Sequence, residues 1–280
     1  MTFSPWSDLD RPPLRGTALE RALVRPGGLW TSVRVVAETG STNSDLVAAA
    51  AEGAPAGTVL VAEEQTAGRG RLERTWTAPA RSGIFLSMLL RPGVPKERWG
   101  WLPLLVGVAA GSALGREAGA EVRLKWPNDL LVTVEGEERK LGGILAELAG
   151  DAVVVGIGLN VSLRAEELPV PAAGSLLLAG AAVTDRETLL RAVLRTFDEL
   201  YGEWVAGEGD PELSGLRAAY EAQCATLGRR VRVELPGDRA LSGEAVGVDG
   251  DGRLVVRDEE GVSTAVGAGD VVHVRGATPA

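Results

Sequence analysis

The sequence predicts an α+β protein: a mixed, mostly antiparallel sheet with helices packed on it, followed by a small C-terminal β-barrel. Three observations carry this. Short β-branched runs separated by helical segments begin at Val33, closely spaced strand-like runs between residues 122 and 159 imply antiparallel neighbours, and five short alternating runs follow Gly228. With 280 residues, 45% hydrophobic and 24% charged, the chain has enough apolar material for a real core.

Residues 1–32, rich in Pro, Arg and Gly with a short helix over Thr17 to Val24, read as an N-terminal extension that could not hold much of a core. Strands are expected at Val33 to Val36, Thr58 to Ala62 and Ile84 to Leu90. Between the first two, Asn43 or Ser44 can cap a helix that runs through the alanines to Glu52 and stops at Gly53. An apolar helix over Trp101 to Glu117, with Pro103 near its start, belongs in the core. Strands at Val122 to Leu124, Leu130 to Val134, Ile144 to Leu148 and Val153 to Leu159 follow, joined by short turns. Helices are predicted from Asp185 to Tyr201 and from Asp210, followed by Pro211, to Cys224. These elements make one large domain, residues 33–226.

Residues 227–276 make the barrel, with strands at Val231 to Leu235, Leu241 to Val248, Leu254 to Val256, Ser263 to Val266 and Val271 to Val274. Turn sequences such as Pro236-Gly237-Asp238 divide them.

The longest apolar stretches are broken by Gly or Pro and fall short of the ~20 residues a bilayer requires, and the first residues do not resemble a secretory signal. No membrane partner and a cytoplasmic location are therefore expected. Single Cys224 and His273 residues exclude an internal disulfide and a cysteine-rich metal site. A net charge of -9 argues against a broad nucleic-acid surface, so any anion site must be local.

One local site stands out. Gly68-Arg69-Gly70-Arg71-Leu72-Glu73-Arg74-Thr75-Trp76 follows a strand, and its backbone amides and guanidinium groups can converge on one anion; a solvated basic loop is the simpler alternative. Gly40-Ser41-Thr42-Asn43 lies upstream. Lys125-Trp126-Pro127-Asn128-Asp129, Lys140-Leu141-Gly142-Gly143-Ile144 and Gly156-Ile157-Gly158-Leu159-Asn160 lie downstream. Each alone has an ordinary explanation as a helix cap, a turn or close packing.

In this order and spacing the five segments resemble the catalytic domain of biotin protein ligases, over roughly Val33 to Val161 with a continuation towards the C-terminus. That family places a small SH3-like barrel after a catalytic domain of the biotin/lipoate ligase type, so the domain order is similar too. The resemblance implies ATP and biotin as substrates, Mg²⁺ as cofactor, and a biotin carboxyl carrier domain of an acyl-CoA carboxylase or similar enzyme as partner. Ser41, Thr42 and Gln65 match the family's ureido-binding positions, with Asn43 beside them. Arg69 and Gly70 match backbone contacts, and Gly143 lets a strand approach the ring. Lys140 is assigned to the biotin carboxylate and adenylate phosphate, with Arg71 and Arg69 in the same catalytic set. Arg74, Trp76, Lys125, Asn128 and Asn160 match adenylate positions, although a place in the core is the commoner fate of a tryptophan such as Trp76. Asp129 either helps to hold Mg²⁺ or caps a turn.

The chemistry makes the same demands. A carboxylate attacking an α-phosphate brings two anions together, and Arg69, Arg71, Arg74, Lys125 and Lys140 can supply the opposing field. The mixed anhydride formed must be kept from water, and the Gly/Arg segment, disordered alone and ordered by an anion, could close over it. Glu73 departs from the family pattern, placing an acid where many relatives carry a basic residue or glycine. Alternatives are a lipoate or octanoate ligase and a non-catalytic sensor that keeps the pocket. A DNA-binding repressor is disfavoured, because only 39 residues precede Gly40 and Pro12-Pro13 and Pro26-Gly27-Gly28 interrupt them.

Overall fold

The computed structural model describes residues 10–235, 239–267 and 269–273. Its first elements are helix α1 (Gly16–Leu23), strand β1 (Ser32–Val36), α2 (Thr42–Ala51) and β2 (Thr58–Ala62). A small ribbon of β3 (Gly68–Arg69) and β4 (Thr75–Trp76) precedes β5 (Gly83–Leu90) and α3 (Trp101–Ala118). Four strands then run in succession, β6 (Val122–Lys125), β7 (Asp129–Val134), β8 (Glu137–Ala149) and β9 (Ala152–Asn160), before α4 (Arg186–Ala206) and α5 (Leu216–Gln223). The C-terminal part holds β10 (Arg230–Leu235), β11 (Arg239–Val248), β12 (Leu254–Arg257), β13 (Ser263–Val266) and β14 (Asp270–His273).

The main sheet has the order β1-β2-β5-β9-β8-β7-β6; β1 and β2 pair parallel and the remaining neighbours antiparallel. The central strands β5 and β9 are buried on both faces, which is why they read as continuous apolar runs. One face, through Val59, Val61, Ile84, Leu86, Met88, Val153, Val155 and Ile157, packs into the main core with α1, α3 and α4. The other, through Leu60, Leu89 and Val154, meets Leu46 of α2. The C-terminal strands form an antiparallel sheet of order β13-β12-β11-β10-β14.

Several expectations need correction. Helix α2 is capped by Ser41, whose Oγ accepts from Ser44 N at 3.4 Å, rather than by Asn43 or Ser44, and Asn43 is buried. At Asp210 the carboxylate accepts from the amides of Glu212 and Leu213, but this turn is broken by Gly215 at φ 70°, and α5 starts only at Leu216. Strand β8 begins well before Ile144 and contains Lys140 to Gly143, with a register shift opposite Leu130 and Leu131. The Pro236-Gly237-Asp238 turn and the Val274 end of the last predicted strand lie outside the described residues.

The segment before β1 also contributes to the core. Leu14, Leu19, Leu23 and Trp30 are buried, and Trp30 lies 5.7 Å from the Phe197 ring. Leu14 N donates to buried Glu63 Oε1, and Arg186 Nη1 donates to Glu63 Oε2, both at 2.5 Å. Arg186 also donates to the carbonyls of Pro12 and Gly83. The sequence signal for extension was the Pro and Arg content; the apolar residues at α1 positions 19 and 23, four apart, were the counter-signal.

The C-terminal sheet is docked on the main body by hydrogen bonds to one turn and by a neighbouring ion pair. Arg98 and Trp101 donate to Gly250 O, and Trp126 Nε1 donates to Gly252 O. Nearby, Arg229 pairs with Glu138 at 2.7 Å and also approaches His273 Nδ1 at 3.3 Å, while His273 Nε2 is 3.2 Å from Thr226 Oγ1. Burial, then Lys125 and Arg229, push the His273 pKa down from 6.5 to about 4, with Glu138 opposing. The unfolded chain therefore binds more protons between those values, and stability is lost as pH falls from about 6.5 towards 4. His273→Gln should flatten that loss by about 1 kcal/mol after solvent screening, or about 2–4 °C, in melting curves at pH 7 and pH 5. Equal pH dependence in both proteins would contradict the assignment.

Candidate active site

The site is built on the α2 face of β8 and β9. These strands pair Leu145 with Gly156 and Gly143 with Gly158. Their alternation sends the large β9 side chains to the core and leaves the two glycines towards α2 and the ribbon. A cavity of about 560 Å³ lies here. Ser41, Thr42, Asn43, Gln65, Arg69, Gly70, Arg71, Arg74, Trp76, Lys125, Asn128, Asp129, Lys140, Gly143 and Asn160 all line it, so the five motifs meet in one place.

Over the Leu145–Gly156 pair sits a polar cluster. Asn43 Nδ2 donates to Leu145 O at 3.1 Å, and Asn43 Oδ1 is 2.6 Å from Ser87 Oγ. Ser87 Oγ is in turn 2.7 Å from Thr42 Oγ1, and Thr42 N donates to Gln65 Oε1 at 2.9 Å. These groups are buried or half-buried and satisfy one another, leaving the Gln65 Nε2 donor without a partner among the bonds to described residues. Gly156 is required: a Cβ there would overlap Asn43 Oδ1 and lie 3.0 Å from Asn43 Cγ and 3.1 Å from Ser87 Oγ.

Two residues further along the ladder, about 7 Å away, the Trp76 indole covers Gly143 and Gly158. A Cβ at Gly158 would lie 2.9 Å from Trp76 Cε2. Trp76 is half-buried in the cavity wall rather than in the core, and its buried Nε1 has no partner among the described residues. Lys140 Nζ sits 6.0 Å from the ring centroid and 2.6 Å from Asp129 Oδ1. The bulge at Leu141 places this lysine, and its backbone is held by Lys140 N donating to Ala172 O and Gly174 N donating to Lys140 O, both at 2.8 Å. Asn160 Nδ2 donates to Gly174 O at 3.0 Å and so secures the same loop.

The Gly/Arg segment forms the short β3–β4 ribbon, closed by a tight turn. Gly70 N donates to Arg74 O, and Leu72 and Glu73 turn the chain with φ of 53° and 59°. Carboxylates of the chain already neutralise two of its arginines: Arg69 pairs with Glu147 at 3.0 Å, and Arg74 pairs with Asp270. Arg71 instead donates to Asn128 Oδ1 at 3.2 Å and to Gly269 O at 3.4 Å, both uncharged. Burial pulls its pKa below the ordinary arginine value, and it stays cationic. Glu73 is exposed. The field therefore differs from five free cations: Arg71 and Lys125 have no carboxylate partner among the described residues, while Lys140 shares its charge with Asp129. With five cations against Asp129, Glu234 and Asp270 along the wall, the cavity is still basic in an acidic chain.

Ser87, Glu147 and Asp270 were missed in the sequence. Ser87 was legible as the one polar residue in the apolar run Gly83–Leu90; Glu147 and Asp270 act on arginines 78 and 196 residues away, which no local pattern reveals. For Mg²⁺, Asp129 offers a single carboxylate, and no group of three or more His, Cys, Asp or Glu suited to a metal occurs among the described residues. That donor set suits an ion brought in by a polyphosphate, which keeps most of its ligands as phosphate oxygens and water.

Residues 35–162 match the sequence model of the Biotin/lipoate A/B protein ligase family, and residues 226–274 match that of the Biotin protein ligase C terminal domain. The biotin--[acetyl-CoA-carboxylase] ligase of Mycobacterium tuberculosis is 45% identical over 270 residues, covering 95% of this chain and 97% of its own. A bifunctional ligase/repressor of Escherichia coli is 33% identical over 241 residues, covering 81% of this chain and 70% of its own. Among solved structures, the Aquifex aeolicus biotin protein ligase in complex with biotin and ATP superposes with a TM-score of 0.71 at 29% identity, covering 86% of this chain and 98% of that one. A Leishmania major biotin protein ligase in complex with biotinyl-5-AMP gives 0.56 at 25% identity, covering 84% and 98%. Similarity that spans nearly the whole of both chains, with both parts of the fold matched in order, places this chain in the biotin protein ligase family.

Proposed function

We propose that this protein activates biotin with ATP to biotinyl-5'-AMP and transfers the biotin to a lysine of a biotin carboxyl carrier domain. The carrying observation is the graded wall of a single cavity: a hydrogen-bonding cluster at Leu145–Gly156, an indole at Gly143–Gly158, and cations from Lys140, Arg71 and Lys125. A ureido ring needs the first, an adenine or flat bicycle the second, and a carboxylate beside a phosphate the third.

In the first step a biotin carboxylate oxygen bonds to the α-phosphorus, the bond to the bridging oxygen breaks, and pyrophosphate leaves. Lys140 and Arg71 lower the repulsion between the two anions and take up charge as it builds on the phosphoryl oxygens. In the second, the acceptor amine attacks the acyl carbon, the C–O bond to AMP breaks, AMP leaves with that electron pair, and the amine loses a proton. Ser41, Thr42, Asn43, Gln65 and Gly143 hold biotin; Arg74, Trp76, Lys125, Asn128 and Asn160 form the adenylate side. Arg69 acts from the ribbon. Asp129 would be the protein carboxylate that helps to hold a Mg²⁺ brought in with the triphosphate, which would supply charge neutralisation.

Residues 33–226, with the preceding segment packed on them, are the adenylating and transferring unit, and residues 227–276 the small domain. The acceptor is the carrier domain of an acyl-CoA carboxylase or similar enzyme. No helix among the described residues is long and apolar enough to cross a membrane, and the charge of -9 disfavours DNA as partner. Pyrophosphate release with ATP and either biotin or lipoate tests the substrate: release with biotin and background with lipoate is expected, and the opposite preference overturns the reading.

The glycines separate the two halves of the pocket. Gly156→Ala should raise the biotin KM about tenfold by displacing Asn43 from its hydrogen bonds, with the ATP KM nearly unchanged. Gly158→Ala, against the Trp76 ring, should show the reverse pattern. Steady-state pyrophosphate release measures both, and indistinguishable KM patterns would contradict the assignment.

A further inference from the structure

Glu147 lies on β8 beyond Gly143 and Leu145, on the same face of the strand. Its carboxylate is divided between two parts of the site. Oε2 accepts from Asn43 Nδ2 at 2.9 Å, and Oε1 is 3.0 Å from Arg69 Nη1, which also donates to Ser44 Oγ at 3.3 Å. With its side chain 22% exposed, Glu147 is screened less than a surface acid.

This division has two consequences. Asn43 Nδ2 faces two acceptors, Glu147 Oε2 and Leu145 O, so the amide must turn its Oδ1 towards Ser87. An amide oxygen only accepts, so the Ser87 hydroxyl donates to it, and the single Thr42 hydroxyl proton has both Ser87 Oγ at 2.7 Å and Gln65 Oε1 at 3.1 Å as acceptors. The orientation of the Asn43 amide, and with it the direction of the Ser87–Asn43 bond, is thus set from Glu147. On the other side, the same carboxylate fixes the Arg69 end of the ribbon, whose other end is held by Arg74 on Asp270.

We propose that Glu147 is a positioning residue that joins the biotin cluster to the basic ribbon, orienting Asn43 with one oxygen and holding Arg69, and with it the ribbon over the cavity, with the other. The ligand half of this statement rests on the biotin reading above; the ribbon half does not.

Two substitutions separate the contacts. Glu147→Gln keeps an oxygen for Asn43 but loses the charge on Arg69, whereas Glu147→Ala loses both. In the free protein, hydrogen exchange across residues 68–76 should be faster in both variants than in wild type, with exchange elsewhere in β8 and β9 unchanged for the Gln variant. With biotinyl-AMP formed in place and chased, Glu147→Gln should release the adenylate about fivefold faster with a biotin KM within about twofold of wild type. Glu147→Ala should add an increase of about tenfold in biotin KM. Unchanged exchange in the ribbon of both variants overturns the ribbon half, and equal biotin KM in the Gln and Ala variants overturns the Asn43 half. If wild type forms no adenylate from biotin, the biotin reading and the ligand half fail together, and the exchange comparison still decides the ribbon half.

Discussion

Lys140→Ala is expected to slow adenylate formation by about 10²–10³-fold, the range found when a single charge-stabilising donor is removed from a reacting centre. The lysine reaches the cavity because a bulge turns it in and the 172–174 loop clamps its backbone, neither of which the substitution removes. Its partner Asp129 has a side chain 23% exposed, so the carboxylate left behind can hydrate, and the melting temperature should change little. Charge developing on the phosphoryl oxygens concerns the transition state more than the ground state, so the loss should appear in kcat rather than only in KM. Single-turnover pyrophosphate release at saturating biotin and ATP measures it. Unaltered turnover would revive a pocket that binds without catalysing.

The largest effect on stability is expected at Arg186, which does not line the cavity. Arg186→Met leaves Glu63 buried with one backbone donor from Leu14 and no cation, and breaking a buried pair in this way costs about 3–5 kcal/mol. The arginine also satisfies the Pro12 and Gly83 carbonyls, so the N-terminal segment should loosen together with the sheet end that leads to Gln65. Glu63→Gln in the same chain should recover much of the loss, because the uncompensated charge is then gone. Denaturant unfolding of the two single variants and the double variant tests this; an additive cycle would show that Arg186 and Glu63 are not coupled.

The strands and long helices were legible because their signals are local: β-branched runs bounded by turn residues, and apolar spacing of three and four. The cavity residues were legible through five motifs, all of which the fold brings together. What stayed hidden was pairing at a distance. Nothing near Glu63 announces Arg186, and nothing near Glu147 announces Arg69, so the ribbon's charge was overcounted and the first segment was read as peripheral. The cap of α2 was misplaced because Ser41, Asn43 and Ser44 are all good capping residues, and only the burial of Asn43 against β8 decides among them. Asp210 with Pro211 is a sound helix start locally, and Gly215 in a left-handed conformation defeats it.

Biotin transfer is tested most directly by incubating the protein with ATP, Mg²⁺, biotin and a carrier domain and measuring the intact mass of the acceptor. One added biotinyl group on a single lysine, dependent on ATP and lost with Lys140→Ala, is the predicted result. An acceptor of unchanged mass under saturating substrates would contradict it.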